Sequence, residues 1–200
     1  MSNIVKEFES RIMLTENEYF VIVSHYLRQY PNKKFLQNVN VYLDTEDLFL
    51  RKRHTPLRLR IINDAKYELT LKIKGQNGDD EINDDLTKSG YDLLINHDVF
   101  PDGMVRNYLL MLPYPLDNYK QITTLYNRRL EIEIDDCLIV IDKNVYSDIT
   151  DYNLEIESKN SLAEAKQMMK QLIKQFNLSQ AGQIYLGKAH RAIDAARKKN

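Results

Sequence analysis

The chain has 200 residues, enough for one domain with a buried core, and 43% of them are hydrophobic. Its 28 Lys and Arg residues nearly balance its 29 Asp and Glu residues, so the average charge neither favours nor excludes an anionic partner. No signal segment and no apolar run of ~20 residues is found, so we expect no membrane-spanning helix. The one cysteine, Cys137, excludes an intramolecular disulfide and fits a reducing compartment, which predicts a cytoplasmic protein.

The first half of the chain is predicted to contain five strands and one helix. Residues 4–14 alternate in the manner of a strand, and Thr15 and Glu18 then match a capping box. The capping box and the helix-spaced apolar residues behind it predict a helix from Glu16 to Gln29. Further strands are predicted at residues 38–44, 56–62, 67–74 and 79–87.

The second half is predicted to add three strands and four helices. Two short helices are expected within residues 89–118, around the Pro-Asp-Gly turn at 101–103. Strands follow at residues 119–134, 137–142 and 151–158, and helices at 161–176 and 184–198. About eight sequential antiparallel strands commonly close into a barrel, because closure removes exposed edges. We therefore predict an α+β fold in one domain, residues 1–200: a closed eight-stranded antiparallel β-barrel, helices packed outside, and C-terminal helices from about residue 161.

Charged residues recur two positions apart on many of these strands. This spacing places each set on one face of its sheet, because side chains alternate along a strand. The sets are Glu7, Glu9 and Arg11; Arg58 and Arg60; Lys72 and Lys74; Arg129, Glu131 and Glu133; and Asp151, Asn153, Glu155 and Glu157.

Solvated outer faces are the ordinary explanation for such sets. Here, however, the signs are sorted by strand, acidic on the first and last and basic on the middle pair, whereas ordinary surfaces mix them. The opposite faces, with Leu57, Leu59, Leu69 and Leu71, are apolar enough to pack against helices. Helices outside the barrel would turn the charged faces inward, which indicates a highly charged ligand in the interior.

A polyphosphate with divalent cations is such a ligand. Clustered Arg and Lys side chains neutralise phosphate oxygens, and an Arg can grip two oxygens at once. Clustered carboxylates hold Mg²⁺ or Mn²⁺, which prefer oxygen ligands and usually also bind substrate phosphates.

The order of several short motifs resembles the triphosphate tunnel metalloenzymes of the CYTH superfamily, and most closely their small single-domain members from Firmicutes. Each fragment is weak alone, but together they follow the family's order over nearly the whole chain. The matching segments are Glu7-Phe8-Glu9-Ser10-Arg11, Tyr42-Leu43-Asp44-Thr45, Arg58-Leu59-Arg60, Leu69-Thr70-Leu71-Lys72, Arg128-Arg129, Ile141-Asp142-Lys143, residues 151–157 and Gly187-Lys188-Ala189.

The resemblance implies a tunnel that binds a linear triphosphate with one or two divalent metals, and a metal-dependent phosphohydrolase as the function. The substrate would be inorganic triphosphate or a nucleoside or thiamine triphosphate. It implies roles for three sets of residues: Glu7, Glu9 and Arg11 in catalysis; Glu7, Glu9, Glu155 and Glu157 as ligands of Mg²⁺ or Mn²⁺; and Arg58, Arg60, Lys72, Lys74, Arg129 and Lys188 in phosphate binding. Glu131, Glu133 and Asp142 are further candidates for metal binding or for positioning an arginine.

Two residues depart from the family pattern. Arg11 replaces a lysine, and because arginine keeps its proton it can clamp a phosphate but cannot act as a base. Asn153 stands where some members have a carboxylate, which removes one metal ligand. Either change could slow hydrolysis or shift the substrate preference.

Several alternatives remain open at this point. A class IV adenylyl cyclase would need a base pocket at the tunnel mouth, and a binding module would retain a triphosphate without turnover. The helices could also form a homodimer surface. Nucleic-acid binding is not expected, because the basic run at 51–53 is short. His54 is expected in an exposed loop, and His190 has no metal-ligand spacing.

Overall fold

A computed structural model describes residues 2–75, 78–112, 114–179 and 186–198. Within these ranges the chain forms eight strands and six helices. The strands are β1 (Ser2–Leu14), β2 (Leu36–Asp44), β3 (Leu57–Ile62), β4 (Lys66–Ile73), β5 (Asp79–Leu86), β6 (Lys120–Ile134), β7 (Cys137–Tyr146) and β8 (Ile149–Ser158). The helices are α1 (Glu16–Gln29), α2 (Phe49–Lys52), α3 (Lys88–His97), α4 (Met104–Met111), α5 (Leu162–Phe176) and α6 (Lys188–Arg197).

The eight strands close into an antiparallel barrel in the order β1-β5-β4-β3-β2-β6-β7-β8. The long β1 closes the circle, because residues 2–7 pair with β5 and residues 8–14 pair with β8. The predicted barrel is therefore confirmed, and its strand edges are all paired.

The apolar faces of the strands point outward and are covered by helices. On one side, α1 and α5 pack against a cluster that contains Ile12, Leu130 and Leu154. On another side, α3 and α4 cover a cluster that contains Leu59 and Leu71. Because side chains alternate along a strand, burying these faces outside turns the charged residues between them into the barrel.

The helix α1 begins where the sequence predicts. The Thr15 backbone N–H donates to Glu18 Oε2 (2.7 Å) and the Glu18 N–H donates to Thr15 Oγ1 (3.2 Å), which completes the capping box. Two amide groups that have no partner within the helix are thereby satisfied.

The structure differs from the predicted fold in the position of α6 and in the bounds of two elements. Helix α6 does not lie on the outer wall but packs on the inward-facing Tyr42, Leu125 and Tyr146, so it covers one end of the barrel. Its small residues, such as Ala192, allow this close approach. Strand β7 extends to Tyr146, whereas the sequence predicted its end at residue 142. The last helix was predicted from residue 184, but α6 begins at Lys188, and residues 184–185 lie outside the described ranges.

None of the helices in the described residues is both long and apolar enough to cross a membrane. Cys137 is buried and unpaired at the start of β7, as expected for a small core residue.

Candidate functional site

The barrel encloses a cavity of about 780 Å³ whose wall is predominantly charged. Its lining extends from Glu131 and Leu162, near one end of the barrel, to Pro56 and His190, near the other. The further candidates Glu133 and Asp142 are absent from this wall, whereas the main predicted site residues all lie on it: Glu7, Glu9, Arg11, Arg58, Arg60, Lys72, Lys74, Arg129, Glu155, Glu157 and Lys188.

Lys72 lies among four carboxylates contributed by β1 and β5. Its Nζ is 2.5 Å from Glu7 Oε2, 3.7 Å from Glu9 Oε2, 3.4 Å from Asp79 Oδ2 and 3.8 Å from Glu81 Oε1. Burial alone would lower the pKa of Lys72, but the charges of Glu7, Glu9 and Glu81 outweigh it and raise that pKa. Lys72 is therefore a permanent cation that separates these carboxylates.

Glu155 is the most heavily paired carboxylate in the cavity. It contacts Arg11 and Lys188 directly, and its Oε2 lies 3.4 Å from Arg129 Nη2. Burial would raise the pKa of Glu155, but these three cations outweigh it and hold the pKa well below its ordinary value. The carboxylate is thus fully ionised and occupied by cations from β1, β6 and α6.

Asp142 has a similar role behind the cavity wall. Arg129 donates to both of its oxygens at 3.0 Å, and Lys188 Nζ lies 2.8 Å from Oδ2. Asp142 is completely buried, yet Arg129 and Lys188 overcome the effect of burial and lower its pKa to about 2. It therefore positions two cations and does not face the cavity, which matches the arginine-positioning alternative.

Glu157 has the opposite environment, although it lies only two residues from Glu155 on the same face of β8. Within the described parts of the chain, no cation lies within 4 Å of its carboxylate. It pairs across strands with Glu9. Burial is the largest effect and raises the pKa of Glu157. The charge of Arg129 opposes it, but the like charges of Glu7, Glu155 and Glu9 add to burial, and the pKa rises to about 8.

Arg58 and Arg60 form a cationic patch in which both side chains share one carboxylate within 4 Å among the described residues. Their nearest carboxylate is Glu68, at 3.6 Å from each, while Arg60 Nε donates to Asn40 Oδ1 at 3.0 Å. The Nε of Arg58 is buried and has no acceptor among the residues that the structure describes. Burial and the charges of Arg58 and Arg129 lower the pKa of Arg60 to about 10. This patch is prepared for an anion, because a buried donor without a partner is unfavourable.

Arg11, the departure from the family pattern, bridges Glu9 and Glu155. Burial opposes its charge, but these two carboxylates outweigh burial and raise its pKa. Arg11 consequently remains protonated and acts as a link between β1 and β8, not as a base. The second departure, Asn153, is completely buried and accepts from Arg191 Nη2 at 3.2 Å, so it lies behind the wall and not in the cavity.

Arg191 anchors α6 to the barrel and was not singled out from the sequence. Its guanidinium donates to both oxygens of Asp151, at 2.9 and 3.2 Å, and to the Leu186 carbonyl at 2.9 Å. The anchor holds the first turn of α6 against β8, where Lys188 reaches Asp142 and Glu155.

Sequence reasoning also missed Asp79 and Glu81, which line the cavity beside Lys72. Their period-2 spacing on a polar strand was an available signal, because every other charged pair in the cavity has the same spacing. Glu133, in contrast, is exposed and absent from the cavity lining, and the Arg128 guanidinium lies 3.7 Å from the ring centroid of Phe35.

The metal-binding prediction fits the donor chemistry but not a preformed cage. Among the described residues, no three carboxylate, histidine or cysteine side chains converge closely enough to hold an ion. Mg²⁺ is usually bound through one or two carboxylates together with substrate phosphates and water, so a complete protein cage is not required. Glu7, Glu9 and Glu157 supply hard oxygen donors of this kind on one part of the wall.

Comparisons with known proteins identify related sequences and similar folds. A Bacillus subtilis (strain 168) protein named "Putative triphosphatase YjbK" is 32% identical over 178 residues, which cover 87% of this chain and 88% of the relative. A solved structure of a Bacillus halodurans "putative adenylate cyclase" matches with a TM-score of 0.82 at 27% identity, covering 94% of this chain and 97% of that chain. The Hippeastrum "putative adenylyl cyclase HpAC1" matches with a TM-score of 0.74 at 17% identity, covering 97% and 96%, which supports the fold alone. The CYTH domain family matches residues 5–184. The chain therefore belongs to the CYTH domain family.

Proposed function

We propose that this protein is a metal-dependent phosphohydrolase that cleaves a triphosphate inside the barrel. The observation that carries the proposal is the pairing, in one cavity, of the under-neutralised Arg58–Arg60 patch with the carboxylates of Glu7, Glu9 and Glu157. A phosphate chain would supply further anionic partners for the two arginines, which share Glu68, and a divalent cation would add positive charge beside the carboxylates. The name of the Bacillus subtilis relative supports the same class of reaction.

The basic side chains would hold the phosphate oxygens. Arg58 and Arg60 would bind one part of the chain, since the buried Nε of Arg58 needs an acceptor. Arg129 and Lys188 reach the cavity from positions set by Asp142, so their charges are already oriented when the substrate arrives. Lys72 would exchange a carboxylate for a phosphate, and Lys74 lies farther along the wall.

The carboxylates would hold the metal ion, and Glu7, Glu9 and Glu157 are the best placed. Glu155 was also predicted as a ligand, but its contacts with three cations favour a role in holding Arg11, Arg129 and Lys188. A bound Mg²⁺ or Mn²⁺ would supply positive charge beside the phosphate oxygens. Once Lys72 turns to phosphate, the Glu7 carboxylate that it contacts at 2.5 Å becomes available.

The reaction needs positioning and charge more than covalent assistance from the protein. Water attacks the terminal phosphorus in line, a phosphorus–oxygen bond to the bridging oxygen breaks, and that oxygen leaves with the bonding electrons as part of the diphosphate product. The water proton passes to solvent or to a phosphate oxygen. The arginines stabilise the charge that builds up on the oxygens. Arg11 cannot take the proton, because it stays protonated between its two carboxylates.

The test is to incubate the purified protein with inorganic triphosphate, ATP or thiamine triphosphate, with Mg²⁺ or Mn²⁺, and to measure phosphate, diphosphate and cyclic AMP. We expect metal-dependent release of phosphate, lowered by about 100-fold or more in Glu9→Gln, on the order of the loss of one electrostatic transition-state contact. Glu133→Gln is the matched control, because Glu133 is exposed outside the cavity. Unchanged activity in Glu9→Gln would show that the metal assignment is wrong.

A non-catalytic binding module is the second candidate, and Arg11 favours it because a potential base is absent from this position. Its signature would be thermal stabilisation by inorganic triphosphate without any product. Cyclic AMP from ATP would instead identify the adenylyl cyclase alternative. A homodimer and a cytoplasmic location stay predictions from the sequence.

A further inference from the structure

Two histidines that are 136 residues apart in the sequence meet at the rim of the cavity. His54 Nδ1 and His190 Nε2 are 3.1 Å apart, and the two rings stack with centroids 5.1 Å apart and planes inclined by 29°. Both residues belong to the cavity lining. Neither has a role in the proposed hydrolysis, so the pair needs its own explanation.

His54 follows α2 and His190 lies on α6, and a side-chain ion pair ties these two helices together. His54 follows the C-terminal end of α2 in a left-handed conformation, with φ of 55°, which is common just after a helix. Arg51 donates to both carboxylate oxygens of Asp194 at 3.2 and 2.9 Å, which ties α6 to α2. This ion pair holds α6, and with it His190, beside the segment that follows α2.

The two rings differ in exposure. His190 is only 9% exposed, whereas His54 is an exposed residue, so part of the His54 ring surface is available to a ligand. The other aromatic residue in the described lining is Tyr42, which is 3% exposed and covered by α6. Within the described wall, His54 is therefore the aromatic surface that a ligand can reach.

The surroundings favour a flat, uncharged group over a metal ion. Burial, Arg51 and His54 lower the pKa of His190 to about 4, so this imidazole is neutral at neutral pH. Lys74 lies on the same wall and Arg51 beside the pair, and both would repel a cation. The nearby carboxylate of Asp194 is already paired with Arg51.

The size of the cavity also exceeds the needs of a bare phosphate chain. Its volume of about 780 Å³ lies within the roughly 300–1,000 Å³ of pockets that hold drug-sized organic ligands. The cavity arginines lie on strands of the barrel, whereas Pro56, Leu186 and the two histidines lie just before β3, just after α2, or at the start of α6. A ligand with phosphates inside and an organic group at the rim matches both regions.

We infer that the His54–His190 pair is a stacking platform for the nucleobase of a nucleoside triphosphate whose phosphates lie among the cavity arginines. The inference rests on the proposed function, since it uses the same cavity and names the substrate class. Bases stack on the flat faces of aromatic side chains with little dependence on sequence, so the platform favours nucleotides in general over inorganic triphosphate.

The experiment compares ATP, GTP, thiamine triphosphate and inorganic triphosphate by titration calorimetry and by steady-state kinetics. His54→Asn removes the ring but keeps a residue that tolerates the left-handed backbone, and His54→Phe keeps a flat ring. His97→Asn, at an exposed position on α3, is the control. We expect His54→Asn to weaken binding and to raise the KM of ATP and GTP by about 5- to 10-fold, with inorganic triphosphate unchanged. His54→Phe should retain most of the nucleotide preference.

Each outcome supports or overturns the inference. Equal loss for ATP and inorganic triphosphate in His54→Asn, or no loss for either, would overturn the platform while leaving hydrolysis intact. A selective loss for thiamine triphosphate alone would also reject the nucleobase. If the wild-type protein hydrolyses none of the four compounds, the proposed function fails. Calorimetry then still decides the platform, because His54→Asn should weaken the binding of ATP but not that of inorganic triphosphate.

Discussion

Glu155 and Glu157 share one face of β8 but differ in their partners, and this difference predicts opposite responses to the same substitution. Glu155 contacts Arg11, Arg129 and Lys188, whereas Glu157 has no cation within 4 Å in the described part of the chain. Glu155→Gln removes the shared counter-ion of three buried cations. Glu157→Gln replaces a carboxyl group whose pKa of about 8 leaves it mostly protonated at pH 7, so little charge is lost.

The loss in the free energy of unfolding depends on which carboxylates the three cations keep in Glu155→Gln. Arg11 keeps Glu9, and Arg129 and Lys188 keep Asp142, so no cation is left without a carboxylate. The cost should lie near the lower end of the roughly 3–5 kcal/mol measured when one partner of a buried ion pair is removed. For a domain of this length, a loss of about 3 kcal/mol lowers the Tm by roughly 6–12 °C. For Glu157→Gln we expect a change in the free energy of unfolding within about 0.5 kcal/mol, or a small gain.

The assay is thermal unfolding followed by circular dichroism, in metal-free buffer at pH 7, for the wild type and both variants. A second series with inorganic triphosphate should stabilise Glu155→Gln more than the wild type, because the cavity then carries one additional net positive charge. The reasoning is refuted if Glu155→Gln unfolds within about 2 °C of the wild type, a shift that corresponds to less than about 1 kcal/mol. Equal losses in the two variants would refute it as well.

Three further predictions concern other parts of the chain. Arg191→Met removes the anchor of α6. We expect Lys188 to be displaced and kcat therefore to fall, and we expect limited proteolysis to cleave near α6 faster than in the wild type. Thr15→Ala removes the capping box and should lower the free energy of unfolding by about 0.5–2 kcal/mol in urea titrations, with activity unchanged. His190 has a folded-state pKa of about 4, below its ordinary value of 6.5, so only the unfolded state gains a proton between these values. Stability should therefore fall as pH decreases from 6.5 to 4, and His190→Gln should flatten this slope; an unchanged slope would contradict the assignment.

The local pattern of the sequence was sufficient for the barrel and most of its wall. Alternation along β3 and β4 separates Arg58 and Lys72 from the apolar Leu59 and Leu71, and the structure places the first pair inside and the second pair outside. The capping box likewise determines the first residue of α1. These features depend on residues within a few positions of one another, so the sequence alone contains them.

Tertiary structure alone decided which charges neutralise one another. Arg11 meets Glu155 because β1 pairs with β8, and Lys72 meets Glu81 because β4 pairs with β5 in one register. The position of α6 across the barrel end, and the contact of its His190 with His54, depend on residues far apart in the chain. Period-2 spacing determines that a strand carries a charged face, but strand order and register determine the opposing charge. For this reason the sequence predicted a charged cavity. Only the fold distinguished Glu155, which contacts three cations, from Glu157, which has no cation within 4 Å among the described residues.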